Sequence, residues 1–140
     1  MISMTPTMKF VIELSRLQTR LLKRVDSQLS IHGISFTEFM VMCQLSEAPG
    51  NTMRRIELAE SIGLTASGVT RLLLPMQKIG LVEKQENPRD ARVSLVRLSD
   101  AGMRLLKDAS VSFEQSTTAL LQPIDDQQTQ QFLKLAEKLL

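Results

Sequence analysis

The sequence predicts a mostly α-helical chain with one small β-hairpin, an α+β fold of 140 residues. Three observations predict it. Apolar residues recur at steps of three and four along several stretches, the spacing of one helix face. Only between Leu81 and Leu98 does the pattern change, to two strand-like runs around a polar, proline-marked tip. The length fits one domain, 1–140, and 43% hydrophobic with 23% charged residues is globular rather than disordered composition.

The first helix opens at Thr5-Pro6, a capping residue followed by a proline whose missing N–H costs nothing there. Leu14, Leu17, Leu21, Val25 and Leu29 form its stripe, which runs to Ile31 and stops at Gly33. A helix this long needs something long to pack against. Thr37 is expected to cap a second helix holding Phe39, Met40, Val41, Leu45 and Ala48, closed by Pro49-Gly50. A third runs from about Arg54 to Ile62, with Ile56, Leu58, Ala59 and Ile62 as its apolar set. After the break Gly63-Leu64-Thr65, a fourth runs from Ala66 to Ile79 and ends at Gly80, with Lys78 suiting its last turn.

Leu81–Glu86 and Val93–Leu98 are the two strands, joined by the tip Asn87-Pro88-Arg89-Asp90-Ala91-Arg92. Ser99 caps a fifth helix from Asp100 to about Leu121, which Pro123 breaks. The last, Asp125–Leu140, carries Phe132, Leu135, Ala136 and Leu139 on one side.

Two short helices joined by a glycine-containing turn and followed by a hairpin make a winged helix-turn-helix, here residues 34–98. In the fourth helix Val69, Leu72, Leu73, Met76 and Ile79 form the inward stripe, leaving Ala66, Ser67, Thr70, Arg71 and Lys78 outside. Small polar residues and an arginine suit a helix laid in the major groove of double-stranded DNA. Arg grips guanine there, and Thr offers either a methyl or a hydroxyl to bases. Thr65 and the free N–H groups beside it suit a phosphate. Arg89 and Arg92 give the tip a positive finger fit for the minor groove, with Asp90 placed to brace it. For Arg54 and Arg55, on the helix that crosses the DNA backbone in such motifs, phosphate contact and simple exposure both remain open.

Charge distribution agrees. The net charge of +2 divides into +1 over residues 1–49, +3 over 50–97 and −2 over 98–140, so the basic excess lies in the middle. Five Phe with neither Trp nor Tyr leave few platforms for stacking unpaired bases. One Cys and one His exclude an intrachain disulfide and a Cys/His zinc site, and no cofactor is expected. No glycine-rich phosphate loop or spaced carboxylate cluster supplies an enzyme's constellation, and Asp125-Asp126 reads as charge at a helix start. No apolar run approaches a membrane span and no signal pattern opens the chain, so the expected setting is a reducing cytoplasm with no membrane partner.

Other features have plain readings. Cys43, among Met40, Val41, Met42 and Leu45, reads as core packing rather than a redox thiol. His32 reads as a cap or solvated residue. Arg16, Arg20, Lys23 and Arg24 read as a solvated face or intersubunit salt bridges, and the eight Met chiefly as core filling. Gly68 and Pro75 both cost helix stability, and Pro75 predicts either a bend that aims the helix into the groove or a harmless distortion near its end.

From Ile34 to Leu106 the chain resembles the MarR (multiple antibiotic resistance regulator) family. The matching pieces are Leu58-Ala59-Glu60-Ser61-Ile62-Gly63-Leu64-Thr65, Val69-Thr70-Arg71-Leu72 and Lys78-Ile79-Gly80-Leu81-Val82. The wing pattern Asp90-Ala91-Arg92, Val96, Leu98-Ser99-Asp100-Ala101-Gly102 completes them. The resemblance implies a homodimer formed by the terminal helices, 5–32 and 100–140, on a pseudopalindromic operator. It implies a repressor, often relieved by a small phenolic or amphipathic ligand or by cysteine oxidation. By position, Ser67, Thr70 and Arg71 would read bases, Arg92 would enter the minor groove and Asp90 would brace the wing. The rival from another class is a winged-helix protein-interaction module, which would show large apolar residues on the outer face of the fourth helix.

Overall fold

The computed structural model describes residues 1–140. Helix α1 (Pro6–Leu29) starts where Thr5 Oγ1 accepts the Met8 N–H, and a 3-10 turn over Ser30–His32 carries it to Gly33, whose φ of +76° ends it. Only Val25 and Leu29 of its long stripe are buried; the half bearing Leu14 and Leu17 is exposed. Helix α2 (Phe36–Glu47) is capped by Ser35 and not by Thr37. Ser35 Oγ accepts the Glu38 N–H at 3.1 Å while Glu38 Oε1 accepts the Ser35 N–H at 2.8 Å, a reciprocal box that Thr37 has no carboxylate to complete.

The chain between α2 and the third helix is not a simple break. A 3-10 turn at Pro49–Asn51 leads into strand β1 (Thr52–Arg54), which the sequence pattern did not announce. Helices α3 (Arg55–Ile62) and α4 (Ala66–Lys78) follow, then strands β2 (Val82–Glu86) and β3 (Ser94–Leu98). The sheet is antiparallel in the order β1-β3-β2, with Met53 opposite Val96 and Lys84 opposite Val96 on the other side. Helices α5 (Asp100–Leu120) and α6 (Asp126–Leu139) complete the fold.

One core of 18 buried apolar residues joins the C-terminal end of α1 to α2, α3, α4, the sheet and α5. Phe113 of α5 stacks on Phe36 and tilts against Phe39, at centroid distances of 5.8 and 4.6 Å. His32 Nε2 lies 2.7 Å from Ser112 Oγ, so it ties the end of α1 to α5 rather than standing in solvent. Cys43 is half-buried, and burial, with the nearby Glu47 charge second, pushes its thiol above the ordinary value, which suits packing and not thiolate chemistry.

Two residues assigned inward by spacing point outward. Ile79, beyond the last turn of α4, is 62% exposed, and Ile56, in the first turn of α3, is 59% exposed. Each occupies a helix end where the core no longer extends beneath the stripe. Pro75 lies on the exposed side of α4, which continues through it as one helix to Lys78. The N–H that Pro75 lacks would have met the carbonyl of Arg71, itself an exposed residue.

Candidate nucleic-acid interface

Gly63 sets the angle between α3 and α4. Its φ of +72° is the left-handed cap of α3, and its N–H reaches back to the Ala59 and Glu60 carbonyls. Leu64 N–H bonds to the Ala59 carbonyl at 2.9 Å, and Thr65 then opens α4 by accepting the Gly68 N–H at 3.1 Å. Gly68 belongs to this cap, since a Cβ there would stand 3.2 Å from Thr65 Oγ1. The Ala66 and Ser67 N–H groups keep no intrahelical partner and carry the positive end of the helix dipole.

Val69, Leu73 and Met76 anchor α4 in the core, so the opposite face is fixed outward. Ser67, Thr70, Arg71, Leu74 and Lys78 are all exposed on it. Arg71 makes no ion pair and presents its full charge. Thr70 is tied to α3, because its Oγ1 accepts from Arg55 Nη1 at 3.3 Å. Arg54 pairs loosely with Glu57, at 3.7 Å between exposed side chains.

The wing tip is organised by two short acceptors. Asn87 Oδ1 accepts the Arg89 N–H at 2.9 Å, and Asp90 Oδ1 accepts the Arg92 N–H at 3.0 Å. The Asp90 carboxylate also takes Arg92 Nε at 3.1 Å and Nη2 at 3.3 Å, a two-pronged pair. These contacts, the side-chain bond first and the backbone bond second, hold the Asp90 carboxyl below its ordinary value. Arg92 nonetheless keeps 91% of its side chain exposed, so the pair orients the arginine without hiding it.

A cleft of about 300 Å³ runs between α3, α4 and the wing, and Arg54, Arg55, Thr70 and Arg92 all line it. Arginines from three separate elements therefore converge beside the outer face of α4. Thr65, Ser67, Arg71 and Arg89 lie outside this cleft, on the cap, the open helix face and the wing. Ile56 also lines the cleft. Spacing placed it in the core, and only its position in the first helical turn, ahead of the buried Leu58 and Ala59, hinted otherwise.

Residues 34–94 match the protein-family model for the MarR family. The winged helix-turn-helix region of this chain is thus similar to the MarR family. The chain is 26% identical over 117 residues to the uncharacterized HTH-type transcriptional regulator YhbI of Bacillus subtilis, which covers 84% of this chain and 75% of that protein. It is also 26% identical over 92 residues to the transcriptional repressor MprA of Escherichia coli, covering 66% of this chain and 52% of the repressor. The chain thus spans about three quarters of one of these relatives and about half of the other. Two solved MarR-family structures share the whole fold. Sco3205 of Streptomyces coelicolor, in complex with DNA, superposes with a TM-score of 0.88 at 20% identity, over 99% of this chain and 89% of that one. The PcaV regulator of Streptomyces coelicolor, in complex with its natural ligand, gives 0.85 at 22% identity over 99% and 96%.

The MarR wing motif has a local physical basis in this chain. Ser99, at its end, caps α5 by accepting the Gly102 N–H at 2.9 Å, and its hydroxyl lies within bonding reach of the Gly80 and Leu81 carbonyls. The root of β2 is fastened to the start of α5 through Ser99, whose backbone N–H also donates to the Leu81 carbonyl at 3.0 Å. The wing is therefore carried on the same rigid core as α4.

Proposed function

We propose that this chain is a dimeric, sequence-specific DNA-binding transcriptional regulator, acting as a repressor that a small amphipathic or phenolic ligand releases. The observation that carries the reading is the convergence of Thr70 of α4, Arg92 of the wing and Arg54 and Arg55 around one cleft. A recognition helix and a wing serve one duplex only when they share a side of the molecule. In this reading Ser67, Thr70 and Arg71 face bases in the major groove. Thr65, with the free N–H groups of the first turn of α4, receives a phosphate. Arg54 and Arg55 contact the backbone, Arg89 and Arg92 enter the minor groove, and Asp90 holds the tip in shape.

The core spans residues 34–98, and residues 5–32 and 100–140 form the dimer. Exposed Phe10, Leu14 and Leu17 on α1 and Phe132, Leu135 and Leu139 on α6 support this, together with the fact that α6 buries no side chain. An amphipathic helix with an uncovered apolar face is completed by a partner. The family model and the fold shared with a DNA-bound and a ligand-bound member support the regulator and ligand assignments. No helix is long and apolar enough to cross a membrane, which fits action in the cytoplasm. The protein-interaction alternative is weaker, because Leu74 is the one large apolar side chain exposed on the outer face of α4 before its final turn.

Selection of bound duplexes from random DNA tests the proposal. It expects one pseudopalindromic site protected by two chains. Recovery of no preferred sequence contradicts it.

A further inference from the structure

Thr70 occupies the middle of the outward face of α4, and its hydroxyl is already committed within the chain. Oγ1 donates to the Ala66 carbonyl at 3.1 Å, one turn earlier on the same helix. The same oxygen accepts from Arg55 Nη1 at 3.3 Å, across the gap between α3 and α4. A hydroxyl has a single proton to donate, so a base edge arriving at Thr70 meets no free donor. The γ-methyl is wholly uncommitted, and of the hydroxyl only one acceptor lone pair is left.

The surroundings have the same character. Ala66, one turn back, is exposed and lines the cleft with Thr70, and so does the exposed Ile56. Apolar groups thus lie beside Thr70 within the cleft that the three arginines also line. Arg55 is also placed against expectation. It is the first residue of α3, where the helix dipole disfavours a cation, and it makes no ion pair. Its one side-chain hydrogen bond is to Thr70.

We propose that Thr70 recognises thymine through its methyl group, with Arg55 as the positioning residue that keeps the hydroxyl turned back onto the protein. The inference rests on the DNA-binding reading above and adds which base the helix selects and by what contact. In the major groove thymine is the base that presents a methyl, and the apolar group of a threonine is a matching surface.

The test uses the full-length protein and a duplex chosen by selection from random DNA. Each thymine is replaced in turn by deoxyuridine, which removes the 5-methyl and leaves every hydrogen-bonding group in place. Sequence-specific binding by the unaltered protein establishes the underlying reading before any replacement is made, so the two can fail separately. One thymine per half-site should then lose about fourfold in affinity when replaced, the worth of one buried methyl. Thr70→Val should keep that thymine-to-uracil ratio, and Thr70→Ser should abolish it. Arg55→Met should shrink the ratio in the native background and leave it unchanged alongside Thr70→Val, where no hydroxyl needs holding. Circular dichroism of each variant checks that α4 remains folded. Equal affinity for thymine and uracil at every position overturns the proposal, as does a ratio kept by Thr70→Ser and lost by Thr70→Val.

Discussion

Gly102 lies against the Leu81 carbonyl so closely that a side chain at position 102 would overlap it, and its Cβ would stand 2.7 Å from Leu98 Cδ1. Because Leu81 and Leu98 flank the wing and Gly102 belongs to α5, the contact joins the hairpin root to the longer of the two C-terminal helices. The Leu81 neighbour is backbone, so even if the Leu98 side chain turns aside the overlap with that carbonyl stays. Gly102→Ala should lower stability by about 1–3 kcal/mol, the range for overpacking a close-packed site. Urea unfolding followed by circular dichroism measures it; an unchanged midpoint would mean that the wing root is looser than described.

The Asp90–Arg92 pair gives a prediction in pH. The Asp90 carboxyl is held below its ordinary value of 3.8 by Arg92. A depressed carboxyl pKa contributes order that is complete above the ordinary value and is lost as pH falls through the lower, folded-state value. The wing tip should therefore keep its shape across the neutral and mildly acidic range and loosen only below pH 3.8. Carboxyl NMR titration should place the Asp90 midpoint below 3.8 and show it rising in Arg92→Ala. A midpoint that ignores the substitution contradicts the pairing.

Much of this architecture was legible because helix periodicity and cap residues are local signals. Thr5, Thr65 and Ser99 each cap the helix expected of them, since a hydroxyl before an apolar stripe has few other uses. Thr37 misled because it is also a hydroxyl near a helix start, and the Ser35-x-x-Glu38 spacing was the better sign. Strand β1 has three residues and forms through its partner β3, a long-range pairing that leaves no periodic trace in Thr52–Arg54. The outward positions of α4 were readable because Val69, Leu73 and Met76 settle which face is inside. The Arg55–Thr70 contact joins residues fifteen apart on different helices, so spacing along the chain could not show it.

Arg71 carries the sharpest claim about base reading. Exposed and unpaired, it is free to grip guanine in the bidentate manner. Arg71→Ala should relax preference at one position per half-site and weaken the selected duplex by about 1–3 kcal/mol, with little change on random DNA. Repeating the selection with the variant reads this directly. An unchanged preference would move base recognition elsewhere on α4.

Dimerisation predicts a coupling of association and binding. Leu14 on α1 and Leu135 on α6 are exposed apolar residues that do not line the cleft. Replacing both by Asp should yield a folded monomer by sedimentation, since neither contributes to the buried core. Its operator affinity should fall steeply, because each half-site is then bound alone. Full affinity in a monomer would separate the terminal helices from function.

The most direct measurement of the central claim is operator affinity as a function of salt, for the native protein and for Arg92→Ala. A duplex gripped by Arg54, Arg55 and the start of α4, with Arg92 in the adjoining groove, should release several counterions per chain. The logarithm of affinity should then fall with the logarithm of salt by about 0.9 for every phosphate neutralised. The slope should be shallower in Arg92→Ala, which withdraws one cation per subunit. A flat dependence in the native protein, or an identical slope in the variant, would contradict a wing and helix working together on DNA.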